Sequence, residues 1–132
     1  MQGMTEQEGI QFDELSRSVI GCALEVHRRL GPGLLEHAYE QCLAHELALA
    51  DIPFEAEREL PVEYKGIKLD CGFRADLVVA GELIVELKSV EKVLPIHKAQ
   101  LLTYMKLAGV PVGLLMNFNV SRLRDGIKRF VL

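Results

Sequence analysis

Two short segments, Arg74-Ala75-Asp76-Leu77-Val78-Val79 and Leu83-Ile84-Val85-Glu86-Leu87-Lys88, flank Ala80-Gly81-Glu82 and constrain this chain more than anything else in it. Side chains alternate faces along a strand. One face of the pair therefore collects Ala75, Leu77, Val79, Leu83, Val85 and Leu87, all apolar. The other collects Arg74, Asp76, Val78, Ile84, Glu86 and Lys88. A three-residue turn centred on Gly81 pairs Val79 with Leu83, which puts Asp76 opposite Glu86 and Arg74 opposite Lys88. A slip of one residue would drive every charge into the apolar face, so the pattern specifies its own register.

A hairpin with a fully apolar face needs a layer to cover it, and the flanking sequence supplies helices. From about Phe12 to Leu30, apolar residues recur at Leu15, Val19, Cys22, Ala23, Val26 and Leu30, which is helical spacing. Gly31-Pro32-Gly33 ends that helix, with Gly31 suited to a left-handed cap. A second stripe (Leu35, Tyr39, Cys42, Leu43, Leu47, Ala50) predicts a helix over 34–50, stopped at Ile52-Pro53. A loose strand over 54–60 and a small hairpin around Lys65-Gly66 follow. After the two strong strands, Pro95 opens a third helix over 96–108 that Gly109 closes. Val112 to Met116 and Ile127 to Leu132 read as the last strands. The order ααββββαβ(β) predicts an α/β (α+β) architecture, a mixed sheet flanked by helices.

The chain has 132 residues, 49% hydrophobic and 26% charged, enough for one core. Residues 13–132 are expected to form one domain behind a mobile tail over 1–12. No apolar run is long enough to span a bilayer, and the start lacks the basic and apolar regions of a secretory leader. The expected address is cytoplasmic. Cys22, Cys42 and Cys71 form no C-x-x-C, which argues for reduced, mostly buried thiols. Cys42 and His45 sit three apart without a second pair, so a zinc site is not expected. The net charge of −4 argues against a domain that coats nucleic acid by charge alone. Residues 1–70 carry 14 acids against 6 bases and residues 71–132 carry 5 against 9, so a basic second half is available to phosphate.

Asp76 and Glu86 on adjacent strands repel each other unless positive charge lies between them. Lys88 supplies part of that charge and a divalent cation would supply the rest. A solvated polar face is the simple alternative. Val78 and Ile84 share this face, however, so its charges cluster at one end, as on the floor of a cleft.

Asp76 followed by Glu86-Leu87-Lys88 resembles the D…E-x-K core of the PD-(D/E)XK nuclease superfamily, with Ala75 where the superfamily has its proline. Gln100-Leu101-Leu102-Thr103-Tyr104 resembles the Q-x-x-x-Y motif of RecB-type members. Val26 to Glu40 is similar to the signature of the GxxExxY proteins, whose named residues fall on Gly33, Glu36 and Tyr39; the ending Gly113 to Phe118 and Gly126 to Arg129 fits them too. The resemblance covers roughly residues 17–132 and implies a restriction-endonuclease-like core and a metal-dependent nuclease acting on DNA, with RNA as the alternative. It also implies Mg²⁺ or Mn²⁺ held by Asp76, Glu86, the Leu87 carbonyl and Glu36, and Lys88 positioning water or neutralising phosphate charge. Gln100 and Tyr104 would position the attacked strand or support Lys88. Arg74, Lys98, Arg122 and Arg124 are the expected nucleic-acid contacts.

Simpler readings stand beside these. Gly31-Pro32-Gly33 reads as a helix cap and turn, not a phosphate loop. Glu36 suits a helix start through the macrodipole alone. Tyr39 falls on the apolar stripe and His27 beside one, so both read as packed residues with bonded polar atoms. Gln100 and Tyr104 also fit an exposed polar pair. Arg122, Arg124, Lys128 and Arg129 form a basic cluster equally suited to phosphate or solvent. The rival from another class is a catalytically silent nuclease-fold module serving as a protein-interaction or regulatory, metal-binding subunit, with a homodimer left open.

Overall fold

The computed structural model describes residues 5–7 and 13–132. Strand β1 (Thr5–Gln7) is followed by α1 (Glu14–Leu30), which starts where the Asp13 carboxylate accepts the Ser16 N–H at 2.7 Å. That bond satisfies one of the donors a helix start leaves free. Helix α1 ends at Gly31, whose φ of 66° is open to glycine without Cβ strain and whose N–H reaches the His27 carbonyl at 2.7 Å. Helix α2 (Glu36–Leu49), strands β2 (Phe54–Glu59), β3 (Val62–Tyr64), β4 (Ile67–Leu69), β5 (Arg74–Val79) and β6 (Leu83–Lys88) come next. Helix α3 (Pro95–Ala108) and strands β7 (Val112–Asn117) and β8 (Ile127–Val131) complete the fold, with a 3₁₀ turn at Leu123–Gly126.

Six strands form one sheet in the order β1-β8-β7-β6-β5-β2; β6 and β7 are parallel and the other neighbours antiparallel. Strands β3 and β4 form a separate hairpin. A mixed sheet flanked by three helices is the arrangement of restriction-endonuclease-like proteins. Leu77, Val79, Leu83, Val85 and Leu87 are buried against Val19, Ala23 and Val26 of α1 and Tyr39, Leu43 and Leu47 of α2. Val78 and Ile84 point the other way, into a core with Leu101, Tyr104 and Met105 of α3. At Gly113 the helix comes so near that a Cβ would lie 2.7 Å from Met105 Sδ.

Three expectations are corrected. Thr5–Gln7 pair with Arg129–Val131, because β8 would otherwise leave its outer backbone groups unpaired; the rest of the expected tail lies outside the described residues. Ala75 packs in the α3 core, not with Leu77, because β5 loses its regular alternation at Asp76. Cys22 and Cys42 are half-buried and Cys71 is exposed, none of them paired. No helix among the described residues is long and apolar enough to cross a membrane.

Candidate active site

The β5–β6 ladder has the register that the sequence implies, with Val79↔Leu83, Val78↔Ile84 and Leu77↔Val85. One step further, side chains replace backbone partners. The Asp76 N–H donates to Glu86 Oε1 at 3.0 Å, and the Leu87 N–H donates to Asp76 Oδ2 at 2.9 Å. Each carboxylate is thus oriented by the other strand's backbone, and the expected Arg74–Lys88 pairing is not part of the ladder. On the other flank, the β2–β5 pairs run Ala56↔Leu77 and Arg58↔Ala75 and skip Glu57, which has a φ of 54°. A non-glycine residue in that region is a local kink in β2, placed beside Asp76. Strand β5 is therefore opened on both sides at Asp76.

Charge accumulates in this gap. Glu86 is 5% exposed; burial and then the Asp76 charge push its carboxyl up to about 9, although the Asp76 N–H and the Lys88 ammonium oppose them. Burial also raises Asp76, with Glu57 and Glu36 adding to the rise and the Leu87 N–H and Lys88 countering it. Lys88 is half-buried at the end of β6. The Tyr104 hydroxyl accepts a hydrogen bond from Gln100 Nε2 at 3.0 Å. Its pKa is raised by burial and by the charges of Glu86 and Asp76, so α3 closes one side of the gap.

Helix α2 closes the other side. Tyr39 donates to the Gly31 carbonyl at 2.6 Å, accepts the Leu34 N–H at 3.1 Å, and stacks on Phe118 with centroids 4.5 Å apart. The Ser89 hydroxyl, just past β6, donates to the Leu34 carbonyl at 2.5 Å. These bonds fix the segment that starts α2 at Glu36. His27 is buried, with Nε2 3.1 Å from the Phe118 carbonyl and 2.9 Å from that of Val120, a packed residue as its position beside the stripe implied.

Glu40, one helical turn beyond Glu36, was not anticipated. It is 7% exposed, and the Asp76 and Glu57 carboxylates lie near enough to act on it. Burial, Asp76 and Glu57 raise it to about 7. His37, Glu40 and Glu57 bring one ligand atom each within 4.8 Å of one another. The i, i+4 relation of Glu36 and Glu40 was the available signal, since both face the same side of α2.

The expected nucleic-acid contacts divide. Arg74 lies 3.4 Å from Glu59 and 3.9 Å from Asp70, and Lys98 lies 3.0 Å from Glu6. Arg122 and Arg124 are exposed around the turn after β7. In the basic cluster, Lys128 lies 3.7 Å from Glu6, and Arg129 is buried against Asp13 and Ser16. Arg129 joins the start of α1 to β8, a structural use of a charge that the sequence offered to phosphate.

A family model for the PD-(D/E)XK nuclease superfamily matches residues 13–130. The chain belongs to that superfamily. No curated protein and no solved structure matches it.

Proposed function

We propose that the chain is a metal-dependent nuclease of the GxxExxY branch, hydrolysing phosphodiester bonds of DNA, with RNA as the alternative substrate. The observation that carries this reading is the Asp76–Glu86 exchange of backbone and side-chain bonds in the gap between β5 and β6. Two carboxylates with raised pKa values and a single nearby ammonium, Lys88, suit a divalent cation, which would neutralise the excess charge. Mg²⁺ or Mn²⁺ there is proposed to be held by Asp76, Glu86 and the Leu87 carbonyl, with Glu36 and Glu40 on the α2 side. When bound, it supplies the Lewis acidity that makes water a competent nucleophile toward a phosphodiester.

The residues of the chain do the rest. Asp76 and Glu86 each have one oxygen fixed by a backbone N–H, leaving the second oxygen of each for the cation. Lys88 offsets charge developing on the attacked phosphate. Gln100 and Tyr104, already bonded to each other, orient the bound strand from the α3 side. Arg122 and Arg124 are assigned to the phosphate backbone. Arg74 and Lys98 contribute only by exchanging their present carboxylate partners for phosphate.

The test is incubation of the wild type, Asp76→Ala and Glu86→Ala with labelled single- and double-stranded DNA and RNA in Mg²⁺ or Mn²⁺. Cleavage by the wild type alone is the expected result. A wild type that cleaves none of these substrates overturns the reading in favour of a silent interaction or regulatory module.

A further inference from the structure

We propose that the β3–β4 hairpin is an arm that takes the unpaired bases of a nucleic-acid strand, which makes single-stranded nucleic acid the preferred ligand of the neighbouring site. The arm's position comes from the sheet. Strand β5 starts at Arg74 and runs antiparallel to β6, so its start lies at the end of the sheet where Lys88 closes β6. The last β2–β5 pair is Glu59↔Arg74, and the Leu60 N–H donates to the Phe73 carbonyl at 3.0 Å. The 61–72 segment therefore leaves the sheet at the end that carries Asp76 and Glu86. Phe73, at its base, meets the ring of Tyr104 with centroids 6.0 Å apart, so the arm is continuous with the α3 side of the candidate site.

What the arm presents is set by its turn. Lys65 and Gly66 have φ values of 49° and 81°, the left-handed pair whose twist matches that of the flanking strands. The turn pairs Tyr64 with Ile67 and Val62 with Leu69, so these four share one face, and Glu63 and Lys68 share the other. A separate two-stranded hairpin is marginal by itself and normally covers its apolar face. This one does not: Tyr64 and Ile67 are each 57% exposed, and Leu69 and Phe73 are exposed too. Lys65 lies over the Tyr64 ring, its Nζ 5.6 Å from the centroid. Among the described residues neither Lys65 nor Lys68 has a carboxylate at ion-pair distance, although Glu63 stands opposite Lys68.

Charge and shape together select the occupant. Whatever lies on the apolar face also meets an ammonium beside the ring. A nucleic-acid strand brings a flat base and an anionic phosphate at every step, and a base stacks on an aromatic ring whatever its sequence. A duplex keeps its base faces within its own stack. It would engage Lys65 and Lys68 through phosphates and leave Tyr64, Ile67 and Leu69 uncovered. Unpaired bases account for both parts of the surface. This inference deepens the proposed function and rests on it in taking nucleic acid as the ligand; DNA and RNA strands share the chemistry it uses.

The experiment is fluorescence anisotropy of the full chain in EDTA, with labelled single-stranded DNA, single-stranded RNA, the matching DNA duplex and an abasic DNA strand. The wild type is expected to bind a single strand, DNA or RNA, about tenfold tighter than the duplex or the abasic strand. Tyr64→Phe should match it. Tyr64→Leu keeps the apolar face and loses the ring; with an unchanged melting profile, it should bind single strands about tenfold more weakly and the duplex as before. Lys65→Ala should lower the salt dependence with every probe. Equal wild-type affinity for the normal and abasic strands, or single-strand binding unchanged in Tyr64→Leu, overturns the arm. So does sedimentation that shows a dimer dissociated by Ile67→Ser, since a second copy would then cover the face. Cleavage in Mg²⁺ is scored separately: ring-dependent binding without cleavage overturns the nuclease reading alone, and cleavage with ring-independent binding overturns the arm alone.

Discussion

Asp76 and Glu86 hold each other across the opened end of β5 and β6: the Asp76 N–H donates to the Glu86 carboxylate, and the Asp76 carboxylate accepts the next N–H along β6, that of Leu87. The two acids are therefore braced by the sheet itself, in a buried place that raises both carboxyls above their ordinary range. Replacing Glu86 by Gln keeps an acceptor for the Asp76 N–H and puts a neutral amide where burial already keeps the carboxyl protonated at pH 8. In EDTA at pH 8, Glu86→Gln is expected to melt no lower than the wild type, while cleavage falls at least a hundredfold. Thermal melts and a gel-based cleavage assay check both halves.

Raised carboxyl groups also fix a pH dependence. Glu86 is held at about 9 and Glu40 at about 7, against an ordinary value of 4.5. Between these limits the folded chain keeps protons that the unfolded chain has released, so stability falls as pH rises from about 5 through about 9. Divalent cation reverses the trend, because its ligands must be deprotonated and its stabilisation grows with pH. Melting temperature measured from pH 5 to 9, with EDTA and with Mn²⁺, should show opposite slopes.

Tyr104 contributes a hydroxyl that Gln100 orients. Tyr104→Phe keeps the ring contact with Phe73, whose centroid is 6.0 Å away, and should cost no more than about 1 kcal/mol of stability. Cleavage is expected to drop about tenfold (equivalent to about 1.4 kcal/mol). A larger rate loss in kcat than in KM would place the hydroxyl at the attacked strand during reaction.

Asn117, 4% exposed at the end of β7, accepts the Val90 N–H at 3.1 Å and donates to the Val90 carbonyl at 2.9 Å. It thereby ties down the chain just past Lys88. Asn117→Ala leaves those backbone groups without partners and should cost about 2–3 kcal/mol. Hydrogen exchange at Val90 should rise by more than the global loss of stability explains.

Tyr39→Phe keeps the stacking on Phe118 and loses the bonds to Gly31 and Leu34. The expected cost is about 1–2 kcal/mol, with cleavage reduced through the looser start of α2 at Glu36. Recovery of cleavage when temperature is lowered would identify the effect as positioning.

Most elements are legible locally because their causes are local. The alternation over 74–79 and 83–88 specifies a register that the structure reproduces from Val79↔Leu83 to Leu77↔Val85. Helical stripes and the Gly31 and Gly109 stops bound the helices within a residue or two. Asp76 meets Glu86 across the strands and Gln100 bonds Tyr104 one turn on, since strand pairing and one helix face are enough to bring each pair together.

Tertiary structure decided what sits around them. No spacing in the sequence links Glu40 to Asp76 or Glu57 to His37; those meetings depend on where α2 crosses the sheet and on the kink in β2. Ala75 changes core because β5 opens at Asp76, and Arg129 turns inward because Asp13 waits at the start of α1. Periodicity records which face a residue takes within its own element. Which charges meet is an energy shared between elements distant in the chain, and only the packed structure sets it.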